Sequence, residues 1–437
     1  MKPIHVGLLG LGTVGGGTLT VLRRNEAEIT RRAGRAIRVK VAAVRDLAKA
    51  QKLFAGADIE IITDPMQVVD NPEIDIVVEL IGGTDLAKTL VLKAIANGKH
   101  VVTANKALLA MHGNAIFAAA QAKGVMVAFE AAVAGGIPII KAVREGLTAN
   151  RIEWIAGIIN GTTNFILSEM RDKGLSFETV LAEAQRLGYA ESDPTFDIEG
   201  VDAAHKLTIL SAIAFGIPMQ FDKAYTEGIS KLTQEDIQYA EQLGYRIKLL
   251  GITKRTPRGI ELRVHPTLIP TRRLIANVEG VMNAVLVNGD AVGATLYYGR
   301  GAGAEPTASS VVADLVDVTR MHTADPENRV PHLAFQPDAL SSEPILPMSE
   351  VRTAYYLRMR AVDKPGVLAD ITRILADLEI SIDAMIQKEP DKGQDLVDII
   401  ILTHRTVEKN IDQAIAKIES LPTIPGKITR LRLETLG

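Results

Sequence analysis

Three glycines near the start of the chain have the spacing of a phosphate-binding turn. Gly10, Gly12 and Gly15 form a G-x-G-x-x-G motif that follows an apolar run and precedes helical periodicity. In such a turn the first glycine allows a tight bend, the second lets backbone approach the pyrophosphate, and the third lets helix pack on strand. The helix N-terminus at Thr13 and Val14 would then hold the phosphates. A glycine-rich turn without a ligand is the alternative, and the flanking strand and helix favour the dinucleotide.

The end of the second predicted strand should contact the adenosine ribose of such a cofactor. It reads Val44-Arg45-Asp46, where the arginine suits a 2′-phosphate and the aspartate suits a free 2′-hydroxyl. The pair is ambiguous, and we predict NADP with NAD as the alternative. Eight basic and two acidic residues lie between Arg23 and Arg45, and they form either a solvated face or a positive field near the phosphates.

Acidic residues gather in the middle of the chain. Seven carboxylates and one arginine lie between Glu178 and Asp202. The repulsion between so many negative charges must be offset by solvent or by a bound ligand. Asp202 and Lys206 are four residues apart in a predicted helix, so they share a face and can pair. The segment is either a capped helix with an exposed ion pair or part of a functional site. A calcium loop is disfavoured because the alternating aspartates and the terminal glutamate are missing.

The predicted elements place these residues in two kinds of domain. In the first 150 residues, short apolar runs alternate with helical periodicity, which predicts an α/β fold with a doubly wound, Rossmann-type parallel sheet. The runs are Ile4–Leu9, Ile37–Val44, Ile74–Leu80, His100–Ala104 and Val125–Phe129, and the clearest helices are Thr13–Arg32 and Leu86–Ala96. Longer helices mixed with strands predict an α+β domain over residues 151–302. Its helices are predicted at 162–172, 177–187, 203–215 and 234–243, and its strands at 247–253, 260–265, 284–288 and 294–298.

The last part of the chain has a different pattern. Prolines without apolar periodicity mark a linker over residues 323–352. A β-α-β-β-α-β order follows in residues 353–437, which predicts a ferredoxin-like module. Its predicted elements are Ala354–Ala361, Gly366–Leu378, Ile380–Lys388, Asp395–Leu402, Val407–Ile418 and Lys427–Leu433.

The composition excludes several reaction classes. The 437 residues contain no cysteine, so a thiolate nucleophile, a cysteine-ligated zinc and a cysteine-held iron–sulfur cluster are impossible. With 49 basic and 52 acidic residues, no overall field favours nucleic acid or an acidic membrane. No apolar run reaches the roughly 18 residues that span a bilayer. We therefore expect a cytoplasmic protein that binds neither nucleic acid nor membrane.

Several motifs together resemble the homoserine dehydrogenase family. The string from Ala184 to Lys206 is similar to the family signature A-x3-G-Y-A-x2-D-P-x2-D-I-x-G-x-D-x3-K. Asn160-Gly161-Thr162-Thr163-Asn164, Thr103-Ala104-Asn105-Lys106 and the glycine-rich segment 301–307 also match its pattern. The resemblance extends from the first strand to about His322. The remainder, with Asp363-Lys364-Pro365-Gly366 at its first turn, resembles an ACT regulatory domain, as in the monofunctional members of the family.

The resemblance implies NAD(P)-dependent interconversion of L-homoserine and L-aspartate 4-semialdehyde, on the route to threonine, methionine and isoleucine. Hydride addition to an aldehyde leaves an alkoxide that needs a proton, and lysine ammonium groups are suitable donors. By similarity Lys206 is the leading proton donor and acceptor, with Asp202 orienting it, and Lys106 holds the reacting oxygen or shares the role. Two neighbouring ammonium groups would each lower the pKa of the other.

The resemblance also assigns binding residues. Substrate binding falls to Glu191, Asp197, Lys106, Gly161 and Thr162, with the two carboxylates holding the α-ammonium group. Cofactor binding falls to the turn residues Gly10, Gly12, Thr13, Val14 and Gly15 and to Arg45, Thr103, Asn105, Lys106, Gly303 and Glu305. An ordinary flexible turn is the alternative for the segment around Gly303.

A loop in the middle of the chain resembles the family's monovalent-cation site. Glu130 and the backbone carbonyls of Val133, Gly135 and Ile137 would bind Na⁺ or K⁺. The family usually has glycine at the position of Ala134. A methyl group is tolerated there if the backbone angles are ordinary, and the departure leaves the ion site in question.

The ACT-like tail suggests regulation. The Pro365-Gly366 turn opens a helix and suits capture of an amino-acid carboxylate, so we predict feedback control by threonine through paired tails. A dimerisation module that binds nothing is the alternative. We expect a homodimer or a higher homo-oligomer. Two other functions are disfavoured: a semialdehyde dehydrogenase needs a cysteine thioester, and a non-catalytic sensor has no use for the two lysines and the acidic cluster. The domains would be 1–150 for NAD(P), completed by 303–322, then 151–302 for substrate and dimerisation, and 353–437 for the ACT module.

Overall fold

The architecture comes from a computed structural model, which describes residues 2–53, 56, 58–387 and 395–437. Its strands are β1 Ile4–Leu9, β2 Ile37–Ala43, β3 Glu60–Ile62, β4 Ile76–Glu79, β5 His100–Thr103, β6 Val127–Ala128, β7 Ile152–Ile158, β8 Tyr225–Thr226, β9 Tyr245–Thr256, β10 Gly259–Pro270, β11 Met282–Gly289, β12 Gly293–Arg300, β13 Arg352–Val362, β14 Ile382–Gln387, β15 Leu396–Thr403, β16 Thr406–Val407 and β17 Thr429–Leu433. Its α-helices are α1 Thr13–Arg24, α2 Glu26–Ala33, α3 Leu47–Leu53, α4 Pro65–Asp70, α5 Asp85–Ala96, α6 Lys106–Lys123, α7 Ile139–Lys141, α8 Gly161–Lys173, α9 Phe177–Arg186, α10 Thr195–Ile198, α11 Val201–Phe215, α12 Gln234–Gln242, α13 Ala304–Met321, α14 Val367–Asp377 and α15 Glu408–Glu419.

The described chain forms two compact units. The first extends to Gly161 and includes Val201–Ala224 and Val281–Glu343. The second contains Thr162–Gly200, Tyr225–Gly280 and the described residues from Pro344 onward. The domain boundaries predicted from the sequence stay a proposal.

The first unit contains the predicted parallel sheet. Its six strands have the order β3-β2-β1-β4-β5-β6, and all neighbouring pairs are parallel. The five apolar runs predicted as strands are strands, and the short β3 was not predicted. The helix predicted over Thr13–Arg32 is two helices, because the chain leaves helical geometry at Asn25. The order reverses between β1 and β4, which is where ligands bind in open α/β sheets.

Helix α13 completes the core of this unit. It packs against α1, and its buried Ala308, Val311 and Leu315 belong to the same apolar cluster as β1 and β2. The close approach requires a glycine, since a Cβ on Gly17 would lie 2.5 Å from the carbonyl oxygen of Ala304. The unit also contains the antiparallel strands β12-β11-β7 and helix α11, which packs on α6. Strand β7 was not predicted from the sequence.

The second unit is built on strands β9 and β10, which form a long antiparallel hairpin. Strand β17 of the tail pairs with β10 in parallel at Thr267 and Leu268, so the tail continues the sheet of this unit. The tail itself has the predicted β-α-β-β-α-β order, with strands β13, β14, β15 and β17, helices α14 and α15, and a core of its own. The short β16 is additional, and Lys388, predicted to end β14, lies outside the described residues.

The fold class predicted from the sequence is confirmed: a Rossmann-type sheet, a second α+β region and a ferredoxin-like module are all present. None of the helices in the described ranges combines the length and the apolar character that crossing a membrane requires.

Candidate active site

The glycine turn between β1 and α1 has the geometry that a dinucleotide needs. Gly10 has a φ of 101°, and a Cβ there would lie 2.9 Å from the carbonyl oxygen of Leu80. A Cβ on Gly15 would lie 2.1 Å from the carbonyl oxygen of Gly10, so this position also excludes a side chain. Gly12 faces open space and caps α1, which leaves its backbone accessible to a pyrophosphate.

A cavity of about 610 Å³ opens beside this turn. Gly10 and Gly12 form one wall, and Arg45 and Asp46 follow β2 on another. Arg45 is exposed, so its guanidinium can reach a phosphate without first losing a buried partner. The structure therefore brings the phosphate turn and the predicted ribose-contacting residue to one cavity.

A second cluster joins the ends of two helices. Lys106 is the first residue of α6, and Asp202 and Lys206 lie one turn apart near the start of α11. Oδ2 of Asp202 lies 2.6 Å from Nζ of Lys206, and Oδ1 lies 3.2 Å from Nζ of Lys106. The amide of Asn160 donates to Oδ2 at 2.9 Å, and Nζ of Lys206 also donates to the carbonyl oxygen of Ile159 at 2.8 Å.

This cluster is buried to different degrees. The side chain of Asp202 is 5% exposed, that of Lys206 is 12% exposed and that of Lys106 is 36% exposed. Burial alone would raise the pKa of Asp202, but the ammonium groups of Lys206 and Lys106 outweigh it and hold that pKa well below its usual range. Asp202 is therefore ionised, and its negative charge offsets the repulsion between the two ammonium groups. The alternative that Asp202 and Lys206 form only an exposed ion pair on a helix is therefore wrong, because both side chains are largely buried.

The sequence-based reasoning missed Glu79, the last residue of β4. Its side chain is fully buried, and its carboxylate accepts hydrogen bonds from the hydroxyl of Thr103 at 2.7 Å and from the backbone of Ile81 at 3.0 Å. Burial raises the pKa of this carboxyl, and the hydrogen bonds oppose the rise. The signal was present, since a carboxylate that ends a buried parallel strand lies at the edge where ligands bind.

Three predicted substrate residues lie in the second unit. The hydroxyl of Thr162 donates to the backbone carbonyl oxygen of Tyr189 at 2.6 Å. The side-chain amide of Gln185 donates to the backbone carbonyl oxygen of Glu191 at 3.0 Å. These bonds fix the backbone that presents the exposed carboxylate of Glu191. Asp197 lies in the short helix α10 and is partly buried. Gly161 lies in the first unit, where a Cβ would lie 2.7 Å from the carbonyl oxygen of Val281.

Gly303 and Glu305 lie at the start of α13. Gly303 has a φ of 123° and occupies the N-cap position. The carboxylate of Glu305 forms a two-point ion pair with Arg24, at 2.8 and 3.0 Å. Arg24 is the last residue of α1, whereas the glycine turn precedes the first residue of the same helix. The structure thus directs this carboxylate to the far end of α1, and a cofactor contact of Glu305 stays a prediction.

The loop that follows β6 contains the predicted cation ligands. Glu130 is buried, and its carboxylate accepts the backbone N–H groups of Ile140 and Lys141 at 2.8 and 2.9 Å. Asp314 is buried beside it and accepts the N–H of Glu130 at 2.8 Å, and burial raises the pKa of both carboxyls. Both carboxyls are thus held by backbone N–H groups, and a cation bound at this loop stays a prediction.

Two features of this loop bear on the predicted cation site. The carbonyl oxygen of Gly135 accepts the hydroxyl of Ser310 at 2.6 Å, and that of Ile137 accepts the N–H of Ile139 at 2.8 Å, so each keeps one lone pair for an ion. Ala134 has a φ of 54°, so the condition of ordinary backbone angles, under which a methyl group is tolerated there, is not met. The alanine adopts the left-handed conformation that favours glycine, and the loop keeps the shape that glycine would allow.

Comparisons with known proteins agree with these observations. Residues 138–316 match the family model described as homoserine dehydrogenase, and residues 10–130 match the model of the homoserine dehydrogenase NAD binding domain. The chain belongs to the homoserine dehydrogenase family. Residues 355–423 match the ACT domain model, which confirms the predicted nature of the tail. The chain is therefore an NAD(P)-dependent oxidoreductase with a C-terminal ACT domain.

The similarity covers the whole chain. A homoserine dehydrogenase of Pseudomonas aeruginosa is 67% identical over 437 residues, and one of Neisseria gonorrhoeae is 61% identical over 436 residues, with 100% of both chains covered in each case. A crystal structure of a homoserine dehydrogenase from Thiobacillus denitrificans has a TM-score of 0.96 at 76% identity and covers 100% of this chain and 99% of its own. A hyperthermophilic archaeal homoserine dehydrogenase in complex with NADPH has a TM-score of 0.62 at 26% identity and covers 73% of this chain and 98% of its own.

Proposed function

We propose that this chain interconverts L-homoserine and L-aspartate 4-semialdehyde, in the route to threonine, methionine and isoleucine. The observation that carries the proposal is the cluster in which one carboxylate, that of Asp202, binds the ammonium groups of Lys106 and Lys206. A pair of positive charges held by a single aspartate suits an oxygen that changes between a carbonyl and an alkoxide.

Lys206 is the proton donor and acceptor in this proposal. Two of its three N–H groups bind Asp202 and the carbonyl oxygen of Ile159, which leaves one for the substrate oxygen. Asp202 orients the ammonium group, and Asn160 holds Asp202. Lys106 is more exposed and would bind the reacting oxygen or share the proton transfer.

The dinucleotide would lie along the glycine turn. A bound cofactor would supply the redox chemistry there: a hydride for the aldehyde from NAD(P)H, or a hydride acceptor for the alcohol as NAD(P)⁺. The residues that would hold it are Gly10, Gly12, Thr13, Val14, Gly15, Arg45, Thr103, Asn105, Lys106, Gly303 and Glu305. Arg45 at the cavity favours NADP, and a structurally similar archaeal relative was determined in complex with NADPH.

The substrate amino group would bind to the carboxylates of Glu191 and Asp197. Glu191 is exposed on a backbone fixed by Gln185, and Asp197 lies in the following helix. Gly161 and Thr162 open α8 and would contact the substrate through their backbone. An α-ammonium group would offset the like charge that collects in this acidic segment.

One assay tests the reaction and the cofactor together. Purified protein is incubated with L-homoserine and either NADP or NAD, and absorbance is followed at the band of the reduced nicotinamide. We expect reduction that depends on homoserine, and a higher kcat/KM with NADP. Absence of reduction with both cofactors would contradict the proposal.

We also propose that the loop around Glu130 binds Na⁺ or K⁺. The buried carboxyls of Glu130 and Asp314 and the carbonyls of Val133, Gly135 and Ile137 support it. A cation here would be structural, since it would offset buried negative charge. The melting temperature in NaCl or KCl should exceed that in choline chloride at equal ionic strength, and Glu130→Gln should abolish the difference.

The ACT domain suggests that an amino acid regulates the enzyme, and we propose threonine. The supporting feature is the turn at Pro365 and Gly366, where Gly366 has a φ of 94° directly before α14. Threonine should lower activity in the assay above, and a Gly366→Val variant should lose that response while keeping activity without threonine. An unchanged rate and melting temperature with threonine would favour a module that binds nothing.

We propose a homodimer as well. Strand β12 is an edge strand of its sheet, and the side chain of Tyr298 on this strand is 59% exposed. This edge can therefore pair with another chain. Sedimentation equilibrium would give the mass of the assembly. A cytoplasmic location stays a prediction from the sequence.

A further inference from the structure

The buried carboxylate of Glu79 connects two turns at the edge of the parallel sheet. Its Oε1 accepts the N–H groups of Ile81 and Gly82, at 3.0 and 3.2 Å, in the turn that follows β4. Its Oε2 accepts the hydroxyl of Thr103 at 2.7 Å, at the end of the neighbouring β5. Burying a carboxylate is costly unless it is hydrogen-bonded, so these bonds hold both turns in place.

The hydrogen bond between Glu79 and Thr103, here called the Thr103 branch, connects Glu79 to the start of helix α6. Oγ1 of Thr103 accepts the N–H of Asn105 at 3.0 Å. The side chain of Asn105 donates to the carbonyl oxygen of Gly83 at 2.7 Å and accepts the N–H of Leu108 at 3.1 Å, which makes it the N-cap of α6. Lys106 is the first residue after that cap. The position of its backbone is therefore fixed by a chain of hydrogen bonds that begins at Glu79.

A carboxylate fits this position better than any neutral side chain. Each of the three groups it meets within 3.2 Å is a donor, and a carboxylate only accepts. A glutamine has one accepting oxygen, and its NH₂ group would face either the two backbone N–H groups or the hydroxyl of Thr103. In the second case Thr103 would have to reorient its hydroxyl, which weakens the bond to Asn105.

We propose that Glu79 is a positioning residue for the dehydrogenase reaction: it fixes the Thr103–Asn105 turn, and through it places Lys106 against Asp202. The same carboxylate holds Ile81 and Gly82, which line the cofactor cavity. This inference rests on the proposed role of Lys106 at the reacting oxygen. It predicts two separable effects, one on turnover through the Thr103 branch and one on cofactor binding through the branch at Ile81 and Gly82.

The test compares Glu79→Gln and Thr103→Val with a control, Glu73→Gln. Glu73 precedes the same strand but is an exposed carboxylate paired with Lys40 at 2.6 Å. Each variant is assayed with homoserine and NADP below its melting temperature. We expect Glu79→Gln to lower kcat more than tenfold and to raise KM for NADP more than threefold. Thr103→Val should also lower kcat. Because Thr103 is itself proposed to contact the cofactor but leaves Ile81 and Gly82 bound to Glu79, its KM for NADP should rise less than that of Glu79→Gln. Glu73→Gln should behave as wild type.

The outcomes separate this inference from the proposed reaction. If the wild-type protein does not oxidise homoserine, the proposed function fails first. If the wild type is active and Glu79→Gln keeps kcat within twofold of it, the positioning role is wrong. A lower melting temperature with unchanged kcat and KM would show that Glu79 only stabilises the fold. If Glu79→Gln does not fold, Thr103→Val decides the question through its kcat.

Discussion

Oδ1 of Asp202 lies 3.2 Å from Nζ of Lys106, although the two residues belong to different helices. The other oxygen of the same carboxylate binds Lys206 at 2.6 Å. One buried negative charge therefore sets the separation of two ammonium groups. A preorganised pair of this kind can stabilise negative charge on an oxygen without reorganising during the reaction.

The first prediction concerns the acid and base. Lys206→Ala should lower kcat by about 10²–10⁴-fold, because a positioned proton donor contributes roughly that factor. NADP binding, measured by fluorescence titration, should stay within threefold of wild type, since Lys206 binds Asp202 and the backbone of Ile159. Lys173→Ala is the matched control, because Lys173 is a half-exposed lysine paired with Glu169. Turnover like that of wild type in Lys206→Ala would remove this residue from the mechanism.

The sequence predicted the members of this cluster but not its arrangement. The i,i+4 spacing was enough to pair Asp202 with Lys206. The link to Lys106 depends on how α11 packs on α6, which local periodicity does not specify. Glu79 could have been found as a carboxylate that ends a buried strand, but its bond to Thr103 on the neighbouring strand could not be predicted from local periodicity. In the tail, by contrast, strand and helix periodicity fixes the ferredoxin-like order, since each element buries one face on a local core.

The second prediction concerns the choice of cofactor. Arg45 is exposed beside the cavity that contains the glycine turn, so its guanidinium would bind the 2′-phosphate of NADP. Arg45→Gln should raise KM for NADP by about tenfold, which corresponds to about 1.4 kcal/mol and is close to the lower limit of about 1.5 kcal/mol for a hydrogen bond to a charged group. KM for NAD should change less than twofold. An equal change in KM for the two cofactors would show that Arg45 does not contact the 2′-phosphate. The control is Arg38→Gln, because Arg38 is an exposed arginine on β2.

The third prediction concerns a buried ion cluster that joins the tail to the rest of the second unit. Arg432 on β17 is fully buried, and it binds Glu408 at 3.0 Å and Glu227 at 2.8 Å. Arg432→Met would leave the buried carboxylate of Glu408 with Arg430, 3.0 Å away, as its remaining cation. Breaking a buried ion pair completely typically costs about 3–5 kcal/mol, so we expect a loss below that range. We expect a clearly lower urea midpoint in chemical denaturation. Arg405→Met, at an exposed arginine of the same module, should have the midpoint of the wild type. Equal midpoints for the two variants would contradict the prediction.

The fourth prediction concerns the dependence of stability on pH. His100 is buried, its Nδ1 accepts the N–H of Met126 at 2.9 Å, and burial with His322 and Arg329 nearby lowers the pKa of His100 to about 4. Because the unfolded chain binds this proton near pH 6.5, the free energy of unfolding should fall as the pH drops from 6.5 toward 4. His100 contributes at most about 3 kcal/mol to the free energy of unfolding in this way, and the contribution is fully present above pH 6.5.

The measurement is the urea midpoint as a function of pH. In His100→Gln the amide oxygen can still accept the N–H of Met126, but the side chain does not titrate, so the slope between pH 4 and 6.5 should be smaller. The control is His404→Gln, because His404 is 61% exposed. An unchanged slope in His100→Gln would show that His100 is not the group responsible.

The last prediction concerns Ala134, in the loop proposed to bind a cation. Its φ of 54° costs a non-glycine residue roughly 1–2 kcal/mol, and the residue is fully buried. Ala134→Gly removes this strain, but it raises the conformational entropy of the unfolded chain, which lowers the free energy of unfolding by about 0.4–1 kcal/mol. The stability of the variant should therefore be equal to that of the wild type or slightly higher. Ala132→Gly is the matched control, because Ala132 is also buried but lies in a short 3₁₀-helix and should lose stability. The comparison uses melting temperatures in NaCl. If Ala134→Gly destabilises the protein as much as Ala132→Gly does, the alanine is not strained and the loop does not need a glycine-like conformation at this position.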